Sequence, residues 1–354
     1  MDSKSICLDL EFQYIEFKYD VPELCYDLFY QILALYFDDK CIIHKCKALK
    51  KWTQDDIDNI YLIDIYNSKY LLKIRKNINN NNVLLLENLM KYLDKQNVNI
   101  LCPIPNYKNQ YYTFINNSNY VVEISHLIAA EYYNNDLEQL KLIAMEISRL
   151  HSCLKKYPYY KDIQENTTNN EYRLYNSFEM IKNNYYIKTN DNKIGYWIML
   201  NKQYIGRLIS DYQSVQNLNY DVQVIHGDLN KGNILVLRDP LKILIIDFED
   251  AIFSYLPVAF EICFFIQRFI LCKTLKNLSY KELYIFINNY QNIDCVNSNY
   301  LYEIPYILRL LSYRSTLKLI AAYKDYGFFD KPEMDKFVKL ELQALEFEKI
   351  KFFQ

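Results

Sequence analysis

The spacing of apolar and polar residues changes once along the chain, near residue 126. Before this point, short apolar runs separated by polar turn residues have the length and composition of β-strands. Five such runs are predicted to form an antiparallel sheet: residues 41–49, 60–66, 69–75, 110–115 and 120–125. After this point, apolar residues recur every three to four positions, which predicts helices.

Three segments have the clearest helical signals. Residues 83–93 place several leucines and Met90 on one helical face. Apolar residues in 137–154 keep the same period, and the polar run Asn134-Asn135-Asp136 starts the helix. Near the N-terminus, Asp20 before Val-Pro-Glu has the chemistry of a helix start. The pattern therefore predicts an α+β protein with a sheet-rich part followed by a larger helical part.

Composition and charge exclude several classes of protein. The chain has 41 Lys and Arg against 43 Asp and Glu, a formal net charge of −2, so it lacks the basic field that binding to nucleic acid requires. The longest apolar stretch, residues 251–272, is interrupted by Pro257, Glu261 and Arg268, which disfavours a membrane span. The polar first residues lack a secretory signal, and no C-x-x-C pair is present. We expect a cytoplasmic protein.

Candidate chemistry is concentrated in residues 224–250. A His-Gly-Asp sequence ends at Asp228, Asn233 follows five residues later, and Asp247 comes after a predicted hairpin. Phosphoryl transfer needs a carboxylate that accepts the proton of the nucleophile, and oxygen ligands that hold Mg²⁺ on the phosphates of ATP. The order H-x-D-x-x-x-x-N, strand, turn, strand and Asp supplies these groups. The spacing therefore predicts a phosphotransferase.

Each residue of this motif has a predicted role. Asp228 is the general base or hydroxyl-orienting group, and Asn233 and Asp247 are the metal ligands. His226 braces the loop by hydrogen bonding, and Gly227 allows a sharp turn. The alternatives are an ordinary turn or helix cap at Asp228 and a strand-end residue at Asp247. A carboxylate after four apolar residues is costly to bury without a partner, which favours the metal role.

The same hypothesis requires phosphate-binding residues upstream. Lys73 lies within an apolar strand, and Glu87 lies in the following predicted helix, where both are placed to hold the α and β phosphates. Backbone groups near Glu123 and Ile124, on the last strand before the helical part, are expected to contact adenine. A solvated strand lysine and a surface helix glutamate are the alternatives for the first pair.

Two adjacent motifs resemble a known family. HGDLNKGNILV at residues 226–236, followed by ILIIDFEDA at residues 243–251, is similar to the aminoglycoside phosphotransferase and choline kinase superfamily. The Leu150-His151 pair is similar to one that is common there. The resemblance implies a bilobal protein-kinase-like fold and an ATP- and Mg²⁺-dependent kinase that phosphorylates a hydroxyl of a small molecule.

The expected division follows from the resemblance and the change of spacing. Residues 1–40 form an N-terminal extension and helix, and residues 41–125 form the nucleotide-binding sheet lobe with one main helix. Residues 126–354 form the helical lobe with the catalytic loop and the acceptor site.

The acceptor is predicted from acidic residues. Glu249, Asp250 and Glu261 follow the second metal ligand and suit an amine-bearing acceptor of the choline, ethanolamine, aminoglycoside or homoserine type. Aromatic residues of the helical part, including Trp197, are expected to pack on a cationic group. With 36 tyrosines in the chain, however, aromatic neighbours are expected in almost any pocket.

One departure from the kinase pattern supports an alternative function. Residues 50–59, where a kinase has a glycine-rich phosphate loop, contain no glycine and three aspartates. This favours weak nucleotide binding or a non-catalytic kinase-like structural or binding protein, for example of the spore-coat-associated type. A protein kinase is disfavoured because the chain has no Ala-Pro-Glu segment.

Overall fold

The chain divides into two compact units, Met1–Glu131 and Tyr132–Gln354. The first contains an antiparallel sheet and the second is largely helical, which confirms the predicted α+β class. The computed structural model describes residues 31–37, 43–50, 58–65, 68–76, 79–115, 120–184, 193–214, 221–271, 280–290, 299–327 and 329–349.

The first unit is built on a five-stranded sheet whose order is β1-β2-β3-β5-β4. Its elements are β1 (Ile43–Lys50), β2 (Asp58–Ile65), β3 (Ser68–Lys76), α1 (Asn80–Lys95), β4 (Thr113–Phe114) and β5 (Tyr120–His126). Along β3, the buried Leu72 and Ile74 alternate with half-buried residues, as expected for a strand with one face on a core. Helix α1 begins where the Asn79 side chain accepts a hydrogen bond from the Asn81 N–H.

Two predictions in this unit lie partly or wholly outside the described residues. Of the predicted N-terminal helix, residues 31–34 are described and helical, and Ile32 and Leu33 are fully buried. Of the glycine-free segment 50–59, residues 51–57 are outside the described part of the chain.

The second unit is formed mainly by helices. A short strand, β6 (Glu131–Tyr132), lies at the boundary. The helices are α2 (Leu137–Leu154), α3 (Tyr160–Lys182), α4 (Ile194–Leu200), α5 (Lys202–Ser214), α6 (Val258–Phe265, continued by a π-helix at Ile266–Leu271), α7 (Tyr280–Asn289), α8 (Asn299–Tyr326) and α9 (Lys331–Lys349). No helix in the described ranges is both long and apolar enough to cross a bilayer.

Two loops of the second unit are held by short strands. The strands are β7 (Val222–Val224), β8 (Ile234–Arg238), β9 (Leu241–Ile245) and β10 (Tyr255–Pro257). Strands β8 and β9 form the predicted hairpin, and β7 pairs with β10. The loop at residues 225–233 joins β7 to β8, and the loop at 246–254 joins β9 to β10. Because the four strands pair in this way, both ends of each loop are fixed.

Candidate active site

The carboxylate of Asp228 is held from one side by two amides of its own loop. The Asn230 Nδ2 donates to Asp228 Oδ2 at 2.7 Å, and the Asn233 Nδ2 donates to the same oxygen at 3.0 Å. Among the described residues, no hydrogen bond is formed to Oδ1. The loop therefore fixes the carboxylate and leaves one oxygen available.

The side chain of Asn233 has one possible orientation. Its Nδ2 also donates to the backbone carbonyl of Asp228 at 2.8 Å. Because a carbonyl oxygen can only accept, the nitrogen must face it, and the Oδ1 of Asn233 is at the opposite end of the amide. Its backbone carbonyl accepts from the Ile246 N–H at 3.0 Å, so Asn233 lies opposite the residue before Asp247.

Asp247 has an unusual backbone conformation. Its φ is +67°, in the left-handed region that costs a non-glycine residue about 1–2 kcal/mol. Its side chain is exposed, although residues 243–245 at the end of β9 are buried. A strained backbone that turns a carboxylate outward is typical of functional positions.

His226 connects the two loops. Its Nε2 lies 2.9 Å from the carbonyl of Ile246, and its Nδ1 accepts from the Asp228 N–H at 3.3 Å. These partners require the neutral tautomer with the proton on Nε2, because a carbonyl accepts and an N–H donates. The ring is fully buried and contacts Phe248 at 4.6 Å between centroids. The imidazole of His226 therefore links the loop that carries Asp228 to the loop that carries Asp247.

Gly227 lies where a side chain does not fit. Its φ is +89°, and a Cβ atom would lie 3.1 Å from the Asp250 carbonyl oxygen and overlap the Ser254 hydroxyl. The Ser254 hydroxyl donates to the Asp250 carbonyl at 2.8 Å, which stabilises this turn against the loop. Glycine is therefore required by both conformation and space.

A buried carboxylate supports the backbone of the loop at residues 225–233. Glu261, on α6, is 2% exposed and accepts from the Gly227 N–H at 2.5 Å and from the His226 N–H at 3.0 Å. The His151 Nε2 lies 2.7 Å from the same carboxylate, and Tyr290 lies 2.6 Å from the His151 Nδ1. Burial opposes ionisation, but the hydrogen bond and charge of His151, with the Gly227 N–H, hold the pKa of Glu261 below its usual range.

The pKa of Asp228 is raised above its usual range. Burial is the main cause, and the negative charge of Asp250 adds to it. The hydrogen bond from Asn230 and the charge of Arg268 act in the opposite direction. A carboxylate with this environment is a stronger base than an exposed one, which suits proton abstraction.

In the first unit, sheet register fixes the position of Lys73. It lies on the central strand β3, paired with Ile60 of β2 and Glu123 of β5, and it is half-buried. Glu87 is 7% exposed on α1 and forms an ion pair with Lys91 at 2.6 Å, one turn along the same helix.

The residues expected near adenine are engaged within the first unit. The Glu123 carboxylate forms an ion pair with Arg75 at 3.1 Å. The backbone carbonyl of Ile124 accepts from the Ile104 N–H at 2.6 Å. Since a carbonyl oxygen has two lone pairs, this carbonyl retains one for a further hydrogen bond.

Comparison with known proteins identifies the fold. No protein-family model and no curated protein sequence matches the chain. A solved AMP-bound spectinomycin phosphotransferase is 16% identical, with a TM-score of 0.62 over 91% of this chain and 99% of that chain. An amicoumacin kinase in complex with AMP-PNP, Ca²⁺ and Ami is 14% identical, with a TM-score of 0.58 over 97% and 98%. A Plasmodium vivax ethanolamine kinase is 14% identical, with a TM-score of 0.54 over 87% and 83%.

The chain has the same fold as these three small-molecule kinases. The predicted resemblance is thus confirmed at the level of the fold. In this fold, the motif of residues 226–247 forms two hydrogen-bonded loops.

The oxygen atoms that these loops present suit a hard cation that also binds the oxygens of phosphate groups. Asn233 presents an amide oxygen because its nitrogen is engaged, and Asp247 presents an exposed carboxylate. Within the described ranges, no group of three His, Cys, Asp or Glu side chains forms a complete metal site. Mg²⁺ commonly takes one or two protein oxygens and completes its shell with water and substrate phosphates, so two ligands suit it.

The other acidic candidates have different environments. Glu249 is half-buried and Asp250 is exposed, both in a 3₁₀ turn at Glu249–Phe253. Glu261 is buried, with both oxygens engaged by the loop, so it does not present a carboxylate to an acceptor. Trp197 is 1% exposed and its Nε1 donates to Asp335, so this ring is part of the core of the second unit and does not line an open pocket.

Sequence reasoning missed two residues of this network. Asn230 gives a weak local signal, because an asparagine two residues before a glycine is typical of a turn. Tyr290 gives none, because it meets His151 from a helix that lies far along the chain.

Proposed function

We propose that this chain is an ATP-dependent phosphotransferase that acts on a hydroxyl of a small, amine-bearing molecule. The carrying observation is the fixed carboxylate of Asp228, with Oδ2 engaged by two amides and Oδ1 open among the described residues. This arrangement is what a group that receives a proton from an acceptor hydroxyl needs. The similarity to nucleotide-bound kinases supports the choice of ATP as phosphate donor.

Asp228 performs the proton transfer in this proposal. Its Oδ1 accepts the hydroxyl proton while the acceptor oxygen forms a bond to the γ-phosphorus of ATP. The bond between that phosphorus and the β,γ-bridging oxygen breaks, and ADP leaves. The proton on Asp228 then passes to solvent. The raised pKa of Asp228 favours this acceptance, because burial makes the carboxylate a stronger base.

Metal and phosphate contacts are assigned to four further residues. Asn233 and Asp247 hold Mg²⁺, which neutralises phosphate charge when it is bound. Lys73 supplies a positive charge to the α and β phosphates, and Glu87 supports that side of the nucleotide. Backbone groups near Glu123 and Ile124 remain the proposed adenine contacts.

Acidic residues near Asp228 support an amine-bearing acceptor. Asp250 is exposed and close enough for its charge to raise the pKa of Asp228, and Glu249 precedes it in the same turn. The Asp250 carboxylate beside the proton acceptor, with Glu249 next to it in the chain, favours a substrate whose hydroxyl lies near a cationic group.

The test is a transfer assay with paired acceptors. Choline, ethanolamine, homoserine and an aminoglycoside are each incubated with Mg·ATP and the full chain, beside a neutral alcohol or sugar of similar size. We expect a new phosphomonoester signal in ³¹P NMR with at least one amine-bearing acceptor and a smaller one with its neutral partner. Absence of transfer to every acceptor, with no thermal stabilisation by millimolar Mg·ATP, would favour a non-catalytic binding protein.

A further inference from the structure

The side chain of Asn230 uses both ends of its amide within the catalytic loop. Its Oδ1 accepts from the Gly232 N–H at 2.6 Å and caps the 3₁₀ turn at Lys231–Asn233. Its Nδ2 donates to Asp228 Oδ2 at 2.7 Å. Asn230 is therefore placed between the turn that carries Asn233 and the carboxylate of Asp228.

The orientation of this amide follows from its partners. A backbone N–H can only donate, so the oxygen of Asn230 must face Gly232. The nitrogen is then directed at Asp228, where an ionised carboxylate accepts. Reversal would place a donor against a donor and an acceptor against an acceptor. The turn thus determines which group Asn230 offers to Asp228.

The two hydrogen bonds to one oxygen restrain rotation of the Asp228 carboxylate. Asn230 and Asn233 both contact Oδ2, at 2.7 and 3.0 Å, so rotation of the Asp228 carboxylate would break two charge-assisted hydrogen bonds. One oxygen of the carboxylate is therefore kept engaged by two amides, and the other, Oδ1 in this structure, is left without a hydrogen bond from the described residues. Asn233 alone would be a weaker restraint, because its amide is shared with the Asp228 carbonyl.

We propose that Asn230 is a positioning residue that keeps Oδ1 of Asp228 directed toward the acceptor hydroxyl. This inference rests on the proposed phosphotransferase function and adds a residue to it. Asn230 contacts neither phosphate nor acceptor in this account, and it acts through the orientation of Asp228. It also excludes Oδ2 from proton transfer, because that oxygen already accepts two hydrogen bonds.

The competing explanation is that Asn230 only caps the 3₁₀ turn. Asparagine, aspartate and serine are all good caps, so variants that keep the cap and lose the amide donor separate the two roles. Asn230→Asp keeps the size and the cap but places an acceptor against Asp228. Asn230→Ser keeps a capping oxygen without adding charge near the phosphates.

The experiment measures kcat, KM for the acceptor and KM for Mg·ATP with the full chain and the acceptor found in the transfer screen. We expect kcat to fall on the order of 30-fold or more in Asn230→Asp and about 10-fold in Asn230→Ser, because a hydrogen bond to a charged group is lost. KM for Mg·ATP should change by less than about threefold in Asn230→Ser, because Asn230 does not contact the nucleotide in this account. Loss of a full contact with the nucleotide would raise this KM about tenfold.

A matched control is Asn201→Asp. The Nδ2 of Asn201 donates to the Trp197 carbonyl at 2.9 Å, so this variant also loses an amide donor in the second unit. It should keep the wild-type kcat. Wild-type kcat in both Asn230 variants would overturn the positioning role while the phosphotransferase function stands. No turnover in the wild-type protein would overturn the function and this inference together.

Discussion

Lys73 and Asp228 are held in place by different means, and the difference predicts how each region responds to change. Lys73 lies on a strand whose backbone pairs on both sides, with Ile60 and Glu123 opposite it. The Asp228 carboxylate is held by side chains, chiefly the amides of Asn230 and Asn233. A sheet keeps its register when one side chain changes, whereas a loop held by side chains does not.

The comparison shows where substitutions should affect stability as well as activity. In the first unit, replacing the candidate lysine removes one charge from an intact strand. In the second unit, the candidate site shares its hydrogen bonds with the core through Glu261 and His151. Changes to that support should lower the free energy of unfolding before any substrate is added.

The largest expected loss of stability comes from Glu261→Ala. Removing this carboxylate leaves the His226 and Gly227 N–H groups and the His151 imidazole without their buried acceptor. Loss of one partner of a buried charged network typically costs about 3–5 kcal/mol. Urea unfolding followed by the fluorescence of the buried Trp197, in a Trp52→Phe background, measures the change.

The control for Glu261→Ala is Glu346→Ala, at an exposed position, which should change the free energy of unfolding by less than about 0.5 kcal/mol.

A pH series tests whether Glu261 is ionised in the folded protein. Because the folded pKa of Glu261 is lowered, its contribution is complete above the unfolded value of about 4.3 and is lost as pH falls through the folded pKa. The difference between the wild type and Glu261→Gln should therefore shrink below about pH 4. An equal difference at all pH values would contradict the ionised state of Glu261.

The next largest effect is expected for Gly227→Ala. A left-handed backbone costs alanine about 1–2 kcal/mol, and the overlap with Ser254 adds about 1–3 kcal/mol. Both the unfolding midpoint and kcat should fall, because the strained residue lies next to Asp228. The double variant with Ser254→Gly should recover part of the loss.

Gly206→Ala provides the contrast. Gly206 lies in helix α5 with open space around its Cβ position, so alanine should stabilise by about 0.5–1 kcal/mol. If Gly227→Ala were as well tolerated as Gly206→Ala, the proposed contact between the loop and the Asp250–Ser254 turn would be wrong.

In the first unit, Lys73→Met should change catalysis and leave stability unaltered. Loss of the charge assigned to the phosphates should reduce kcat/KM for Mg·ATP by about 10- to 100-fold. The exposed Lys69→Met on the same strand removes an equal charge and should have no such effect. A fall in the unfolding midpoint that occurs in Lys73→Met and not in Lys69→Met would show that this lysine is mainly structural. That result would contradict the view that the paired strand, and not the side chain, keeps this position in place.

The sequence alone was sufficient to predict those parts of the candidate site whose residues lie close together along the chain. Asp228, Asn233 and Asp247 lie within one hairpin-containing segment, so their spacing alone predicted that the first two would precede the hairpin and the third would follow it. The strands around Lys73 followed from their apolar runs, because β3 and its neighbours are consecutive or nearly so.

The remaining parts depend on contacts between distant segments. Glu261 was expected beside an acceptor because it is acidic and follows Asp247, but helix α6 is buried on nearly all sides and turns it toward the loop backbone. Trp197 was expected on a ligand, but it lies in an apolar cluster formed by five helices, α3, α4, α5, α8 and α9. Spacing cannot distinguish a buried carboxylate with backbone partners from an exposed one, because both follow the same helical period.

The most direct test of the central claim is Asp228→Asn, measured with the identified acceptor and by thermal shift with Mg·ATP. The account predicts that transfer falls by about 10²- to 10⁴-fold, because the amide cannot accept the hydroxyl proton. It also predicts that stabilisation by Mg·ATP is retained, because the metal and phosphate contacts are assigned to other residues. A variant that transfers phosphate at the wild-type rate would contradict the assignment of Asp228 as the proton acceptor.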